Sequence, residues 1–433
     1  MWSHLLKIKK HYLDSARVGW FLAVQQIKHS GRGTTALIIF IMVLTFLNLV
    51  VVSGLLLGLI TGSFEQYRQG YSGEVIITPA SGRSYIENSQ ALVSFLSHHP
   101  QVKDFSVRYG TSVQLLGTLN DNPKKNERAN QIGARLVGID VKREEAVTNF
   151  SHNIIRGENL RPDEARGILI GANLLKKYSS YADANIPGLD FLDDVDVGKR
   201  VRVTMTQTDG GSISQEFIVR GIVKSKVDEI STRIFIVEDE FKRMLPINRE
   251  QYQEIAIKTD YLYAPELVSQ IKSFMGSSLA RIQTSDEAIP SFLRDIESTM
   301  GLLGNALSSI ALVVASITVF IVIYINAVTK RKYIGIMKGI GISPSAIQFS
   351  YVFQALFYGL VGSAIGLFLT FALLKPYFNA NPINFPFSDG ILVATWSGAG
   401  IRVLILLFVT VLAGYIPARL IIRKNTLDAI LGR

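Results

Sequence analysis

Side chains that often carry catalysis occur in this sequence, but none stands in a catalytic spacing. The histidines form no His-Glu-x-x-His pair or other close set of metal ligands, and neither a Gly-x-Ser-x-Gly nor a Gly-x-x-x-x-Gly-Lys-Ser/Thr motif occurs. Asp193, Asp194 and Asp196 resemble part of a calcium loop, but the glycine and the distal glutamate of such a loop are missing. We therefore expect a non-catalytic chain without a metal ion or cofactor of its own. The histidines are His4, His11, His29, His98, His99 and His152.

The segment from Lys330 to Ser343 has instead the composition of a protein-binding surface. Basic side chains are mixed in it with an apolar face of Ile334, Ile336 and Met337. Such a face suits docking into a groove of a partner protein. A basic turn on the cytoplasmic side of a membrane, with a stripe that faces lipid, would have the same composition. The basic residues are Lys330, Arg331, Lys332 and Lys338.

Four long apolar runs must position this segment. A bilayer core of about 30 Å needs about 20 apolar residues per helix, and the first three runs exceed that length. The sequence therefore predicts an α-helical membrane protein with four transmembrane helices in a 1+3 arrangement. A large α+β extracytoplasmic domain, residues 61–298, is inserted between helices 1 and 2. The predicted spans are residues 34–60, 299–329, 346–374 and 398–420.

The distribution of charge predicts the orientation of these spans. The chain has a net charge of +10, but residues 61–298 carry 29 basic and 32 acidic side chains, so the excess lies next to the spans. Positive charge beside a span marks its cytoplasmic end, and this location argues against nucleic acid as a partner. We therefore expect a multi-pass protein of the inner or plasma membrane, with both termini cytoplasmic and residues 61–298 extracytoplasmic.

Shorter segments complete the predicted organisation. Residues 1–33 form a cytoplasmic segment in which Leu13–His29 is an amphipathic interfacial helix with Trp20 at headgroup level, or simply an extension of helix 1. Residues 375–397 are a short external loop, and residues 421–433 are a cytoplasmic tail. In the extracytoplasmic domain, two strand–helix–strand units form one lobe, residues 73–118 and 252–288, around a strand-rich insertion, residues 131–240. The expected turn at Asp209–Gly211 and the expected loop at Asn120–Asn130 lie in or beside this insertion.

Small residues on the third span predict close helix packing. Gly359, Gly362 and Gly366 recur at helical spacing, so that another helix can approach this face closely. The pattern leaves open whether the partner helix belongs to the same chain.

The segment at Lys330–Ser343 resembles the "RREIGILKAIGAS" signature of the FtsX-like, MacB-type permease family. Ile416–Arg419 and Asn425–Leu431 resemble the family's C-terminal motif, and Val137–Asp140 and Phe217–Ile222 are similar to its periplasmic core. The layout is closest to that of the lipoprotein-releasing LolC and LolE permeases. One departure is Tyr333, which stands where the family has glutamate, so an ion pair made by that glutamate is absent here.

The resemblance implies the membrane subunit of an ABC transporter. Two permease chains, identical or different, would pair with a cytoplasmic ABC ATPase dimer that binds ATP and Mg²⁺. Residues 330–345 would be the coupling helix that docks in the ATPase. The implied coupling residues are Lys332, Tyr333, Ile334, Gly335, Ile336, Met337, Lys338, Gly339 and Gly341.

The family's mechanism is mechanotransmission, in which ATP hydrolysis moves the extracytoplasmic domain. The resemblance implies lipoprotein release or export of a lipophilic or peptide substrate, with membrane lipids and a lipoprotein or periplasmic protein as further partners. The alternative is an FtsX-like signalling subunit that activates an external cell-wall hydrolase without transport. A membrane-anchored sensor or scaffold is a third possibility, but it would leave the segment at Lys330–Ser343 without a role.

Overall fold

The structure is a computed structural model. It describes residues 2–29, 31–117, 130–179, 181–182, 190–206, 211–245, 251–276, 279–385 and 388–422. The chain forms two compact units. The helical unit comprises Met1–Ile60, Asp295–Ile383 and Gly390–Arg433, and the sheet unit comprises Thr61–Arg294 and Asn384–Asp389.

Fourteen α-helices lie in the described part of the chain, and four of the helical stretches are long and apolar enough to cross a membrane. The first runs from Arg32 to Ser72 and the third from Pro344 to Ala380, each continued through π-helical turns. The second and fourth are single helices, α10 and α14. The helices are α1 (Trp2–Lys28), α2 (Arg32–Leu47), α3 (Ser53–Tyr67), α4 (Ser89–His98), α5 (Val141–Thr148), α6 (Asp228–Ser231), α7 (Glu238–Met244), α8 (Ala264–Met275), α9 (Ser285–Ala288), α10 (Ser291–Thr329), α11 (Arg331–Gly339), α12 (Pro344–Phe368), α13 (Lys375–Ala380) and α14 (Trp396–Ile422).

Twelve strands lie in the described residues, ten of them in one sheet and two in a hairpin. The fold class predicted from the sequence, four apolar helices with a large α/β domain between the first and second, is thereby confirmed. The strands are β1 (Val75–Pro79), β2 (Asp104–Leu116), β3 (Gln131–Ile139), β4 (Ile154–Gly157), β5 (Gly167–Gly171), β6 (Arg200–Thr206), β7 (Ser212–Val223), β8 (Arg233–Val237), β9 (Glu254–Lys258), β10 (Ala280–Thr284), β11 (Ile383–Phe385) and β12 (Ser388–Gly390).

The large sheet has the strand order β10-β1-β9-β2-β3-β8-β5-β7-β4, and β6 pairs with both β2 and β7. The sheet is continuous from the predicted lobe, residues 73–118 and 252–288, into the predicted insertion, residues 131–240. Strand β2 of the lobe pairs with β9 of the lobe on one side and with β3 and β6 of the insertion on the other. Two apolar cores form nevertheless. One packs α4 and α8 against β1, β9 and β10, and the other packs α7 against β3, β5, β6 and β7.

The glycines predicted on the third span pack against helices of the same chain. A Cβ on Gly362 would lie 2.3 Å from Met42 Cβ, and one on Gly366 would lie 2.4 Å from a ring carbon of Phe46. Gly359 faces α14, where Leu407 would be 2.9 Å from an added Cβ. Because no side chain intervenes, the backbone of α12 approaches α2 closely. All three glycines therefore contact helices of the same chain, which the sequence pattern had left open.

A second pair of glycines, which the sequence analysis did not single out, lies on α3. A Cβ on Gly58 would lie 1.8 Å from the Ile391 carbonyl oxygen, and one on Gly54 would lie 2.8 Å from the Val393 carbonyl oxygen. The Val393 N–H donates to the Gly54 carbonyl at 3.1 Å. Gly54 and Gly58 therefore hold the chain that leads into α14 directly against the first membrane helix.

The N-terminal helix α1 is longer than the predicted Leu13–His29 segment and packs through small residues. Ser15, Gly19 and Ala23 form its buried stripe, and the Ser15 hydroxyl lies 3.0 Å from that of Ser343. Trp20 is exposed and meets the ring of Phe353 edge-on at 5.5 Å. Trp20 therefore lies outside the buried stripe of α1.

Three predicted segments fall wholly or largely outside the described residues. These are the turn at Asp209–Gly211 apart from Gly211, the loop at Asn120–Asn130 apart from Asn130, and the C-terminal motif at Asn425–Leu431.

Replacing Gly362 by alanine should destabilise the helical unit. The added methyl group overlaps Met42, and overpacking of this kind costs about 1–3 kcal/mol. Unfolding by sodium dodecyl sulfate in mixed micelles, followed by tryptophan fluorescence, measures the loss. Gly400→Ala is the matched control, since a Cβ there meets nothing within 4 Å. Equal stability of the two variants would contradict close packing of α12 on α2.

Candidate functional site

The segment predicted to couple to a partner forms a short helix with a defined end. Helix α11 stops at a glycine turn in which the Ile342 N–H donates to the Met337 carbonyl at 2.9 Å and the Gly341 N–H donates to the Lys338 carbonyl at 3.1 Å. This bonding is the Schellman pattern, which requires a residue with positive φ. Gly341 supplies it with φ +93°. The glycine thus ends α11 before α12 begins.

The structure divides the predicted coupling residues into two sets. Ile334 is 2% exposed and Gly335 is also buried, while Met337 packs against the core of the helical unit. The prediction that Ile334 and Met337 present a face to a partner is therefore wrong for the chain by itself. The physical reason is that α11 folds back on the helical unit, so that Ile334 and Met337 contact the core of the chain itself.

The other set faces outward. Tyr333 is 68% exposed, Ile336 51% and Ile340 73%, and Lys332 and Gly339 are exposed beside them. Tyr333, Ile336 and Ile340 follow the spacing i, i+3, i+7 of a helix face that lies in a groove. Lys338 does not join this face freely, because its Nζ donates to the Ile422 carbonyl near the end of α14. The outward face is thus a compact apolar patch with a basic edge.

The aspartates that resembled a calcium loop are paired with basic side chains. Asp196 accepts from Lys177 at 2.7 Å and from Tyr178 at 3.0 Å, and these bonds lower the pKa of the Asp196 carboxyl to about 2. Asp194 is paired with Lys199, and Asp193 lies 3.3 Å from Lys176. Within the described residues, no group of three or more His, Asp or Glu side chains is arranged to hold a metal ion.

A buried ionic cluster at the centre of the sheet was not anticipated from the sequence. Arg108 on β2 and Glu254 on β9 are directly opposite each other in the strand register, with 3.3 Å between Nη1 and Oε2. Arg233 on β8 donates to the same oxygen of Glu254 at 3.0 Å. All three residues are buried. In the sequence, Arg108 lies within β2, whereas Arg233 and Glu254 are the first residues of β8 and β9, and nothing local indicates that the three side chains meet.

The second carboxylate of the cluster is fully hydrogen-bonded. Glu144 accepts from Arg108 Nη2 at 2.7 Å and Nε at 3.0 Å, and also from Ser106 at 2.7 Å and Thr148 at 2.9 Å. Helix α5 presents it, starting at Asp140, whose side chain accepts from the backbone N–H groups of the first turn. Two guanidinium groups thus face two carboxylates, which makes burial of the four charges tolerable.

The cluster holds the end of the first membrane helix. The Tyr71 carbonyl, in the last turn of that helix, accepts from Arg108 Nη2 at 2.6 Å, and the Tyr71 hydroxyl accepts from Arg233 at 3.2 Å. The centroid of the Tyr71 ring also lies 4.9 Å from the guanidinium carbon of Arg108 and 5.2 Å from that of Arg233. A cation at a helix C-terminus is favourable, as is a cation over an aromatic face. The helix then ends at Gly73, whose φ of +63° turns the chain into β1.

Comparison with known proteins agrees with the pattern at α11. Residues 305–426 match the family model described as FtsX-like permease C-terminal. This segment of the chain is therefore similar to the C-terminal part of FtsX-like permeases. It is a multi-pass membrane protein. No curated protein sequence matches the chain.

Two solved structures are similar to about half of the chain. The periplasmic region of MacB from Actinobacillus actinomycetemcomitans is 14% identical, with a TM-score of 0.34, and the match covers 53% of this chain and 95% of that one. The extracellular domain of the noncanonic ABC-type transporter YknZ from Gram-positive bacteria is 12% identical, with a TM-score of 0.31, covering 48% and 98%.

Replacing Glu254 by glutamine should strongly destabilise the sheet unit. Removing one partner of a buried ion pair leaves uncompensated charge, which costs about 3–5 kcal/mol. Native-state hydrogen exchange of the amides in β2 and β9 measures this. Glu216→Gln is the matched control, because the Glu216–Arg202 pair is exposed and contributes about 1 kcal/mol or less. Equal protection in the two variants would rule out the cluster as a stabilising centre.

The same carboxylate should make the sheet unit sensitive to acid. Burial opposes its ionisation, but Arg233 and Arg108 outweigh burial and lower the pKa of Glu254 from 4.5 to about 2. A lowered carboxyl pKa stabilises the fold fully above pH 4.5, and this contribution of about 3 kcal/mol is lost as pH falls from 4.5 to 2. Hydrogen exchange across that range should show the loss in the unsubstituted protein and a smaller loss in Glu254→Gln. Parallel curves would contradict the assignment.

Proposed function

We propose that this chain is the membrane subunit of an ABC transporter, moved by a separate cytoplasmic ATPase. Two permease chains, identical or different, pair with an ATPase dimer that binds ATP and Mg²⁺, and this chain itself is non-catalytic. The observation that carries the proposal is the outward apolar face of α11. It lies within residues 305–426, the part that matches the FtsX-like model, and it presents Tyr333, Ile336 and Ile340 to a partner.

The proposed orientation puts α11 on the cytoplasmic side with both termini. The support is the charge distribution, since the basic excess lies in residues 1–33 and around α11, whereas residues 61–298 carry a net charge of −3. In this orientation residues 61–298 are extracytoplasmic, and the exposed face of α11 meets the compartment in which ATP is available.

Motion would reach the sheet unit along helices. The unit boundaries at residues 60/61 and 294/295 fall inside the first membrane helix and inside α10, so two of the chain connections are helical. The first of these helices ends at Tyr71 in the ionic cluster. A helix fixed at its end by two guanidinium groups transmits displacement better than a flexible linker does.

We further propose that the cargo is a lipoprotein or another lipophilic or peptide substrate handled at the extracytoplasmic domain. The support is the composition of the predicted spans. Residues 34–60, 299–329 and 346–374 contain no charged side chain, and 398–420 contains only Arg402 and Arg419. A conduit for a polar solute through the bundle would be lined by polar or charged groups.

Replacing Ile336 by aspartate should abolish stimulation of the ATPase, because a charge would have to be buried in the docking groove. We expect at least a tenfold loss of permease-stimulated ATP turnover in lipid nanodiscs, with the chain still folded. Leu262→Asp is the matched control, since Leu262 is also exposed but lies in the sheet unit. Equal stimulation by both variants would exclude α11 as the coupling element.

A further inference from the structure

The sheet unit contains a cleft of about 880 Å³. One wall is the end of the first membrane helix at Gln66, Gln69 and Gly70. The opposite walls are the turn at residues 148–153 and the segment at residues 224–228. All of these residues belong to one compact unit.

The walls are fixed to each other by hydrogen bonds. The Lys224 N–H donates to the Asn153 carbonyl at 2.8 Å, which joins the turn to the segment after β7. The Lys226 ammonium donates to the Asn384 side chain and to the Phe385 carbonyl. Asn384 and Phe385 belong to β11, in the connection between the third and fourth membrane helices, and they also line the cleft.

Several polar groups that line the cleft have capacity left for a ligand. The side chains of Asn149, His152 and Asn153 make no hydrogen bond or ion pair with any other described residue. Lys224 donates through Nζ to the Tyr178 carbonyl at 3.2 Å, which leaves two of its three N–H donors. The backbone of Asn149 adopts a left-handed conformation, with φ 48°, which asparagine tolerates.

The charge of the lining favours an anion. Lys224, Lys226 and His152 face a single acid among the described lining residues, Asp228, and Asp228 already accepts from Asn173 at 3.2 Å. Ammonium groups suit phosphate oxygens, whereas carboxamides can donate to and accept from neighbouring hydroxyl groups. The aliphatic side chains typical of a site for acyl chains are not found among the described lining residues.

We propose that this cleft binds a phosphorylated polyol. Lys224 and His152 would contact the phosphate, and the amides of Asn149 and Asn153 would contact the hydroxyl groups. The shared chemistry has two sources, the headgroup of a glycerol-bearing phospholipid and a soluble phosphopolyol. The site rests on the proposed function in one respect only, namely that movement of the membrane helices would change the cleft through Gln66, Gln69 and β11.

Binding can be tested on the full chain without any ATPase. The protein in phosphatidylcholine nanodiscs is titrated calorimetrically with glycerophosphoglycerol, the soluble headgroup, and with inorganic phosphate. In parallel, retention of phosphatidylglycerol from mixed nanodiscs is measured by native mass spectrometry. We expect Lys224→Gln to weaken binding about tenfold and Asn153→Ala about fivefold. Lys272→Gln, an exposed lysine outside the cleft, should leave binding within about twofold of the unsubstituted chain.

Each outcome of these experiments either supports the proposal or overturns it. Binding of the soluble headgroup that both cleft variants weaken supports a soluble ligand. Retention of phosphatidylglycerol alone, reduced by the same variants, supports the lipid source. Binding of neither probe, equal binding by Lys224→Gln and Lys272→Gln, or inorganic phosphate binding as tightly as the headgroup would each overturn the proposal. Asn153→Ala keeps the test decisive if Lys224→Gln fails to fold, because the side chain of Asn153 bonds to no other described residue and its removal should not disturb the fold. ATPase stimulation measured on the same samples reports the proposed function separately.

Discussion

Two guanidinium groups and two carboxylates are buried together at the centre of the sheet, and the end of the first membrane helix lies between them. Arg108 bridges Glu144 and Glu254 and also binds the Tyr71 carbonyl, while Arg233 binds Glu254 and the Tyr71 hydroxyl. Burial of four charges is tolerable only while every partner stays in place. The strand register, the start of α5 and the end of the first membrane helix are therefore fixed by the same set of contacts, and movement of that helix would strain all of them together.

The helical unit packs closely because glycines lie where its segments cross, and glycine has no side chain to keep them apart. Gly362 and Gly366 admit Met42 and Phe46, and Gly58 admits the Ile391 carbonyl. In a bilayer, helix association depends on van der Waals contact rather than on the hydrophobic effect, so small residues at these crossings carry much of the packing. The first membrane helix is thus packed closely within the helical unit and held at its far end by hydrogen bonds and cation–π contacts from Arg108 and Arg233. In the proposed mechanism, such a helix can transmit a displacement from one end to the other.

The sequence was informative where structure depends on local pattern. Apolar runs of about 20 residues or more predicted the membrane helices, and the signature at Lys330–Ser343 lies within the residues that match the FtsX-like permease model. It was uninformative where residues far apart in the chain meet. Tyr71, Arg108 and Glu254 come together only through strand pairing, which no local period encodes. Ile334 and Met337 were placed on the outward face of α11 wrongly for the same reason, because the side that packs on the bundle depends on how the turn folds back, whereas Ile336 is exposed as predicted.

In the proposed mechanism, ATP-driven motion passes from α11 through the first membrane helix to the sheet unit. The chain contains no cysteine, so spin labels can be placed at Arg281→Cys and Gly400→Cys, an exposed position and one with open space around it. Double electron–electron resonance with the partner ATPase should show a distance between the labels that differs between the nucleotide-free and ATP-trapped states. Arg233→Met should abolish this difference while ATP turnover is still stimulated. An unchanged distance in the unsubstituted chain, or the same difference in Arg233→Met, would contradict the account.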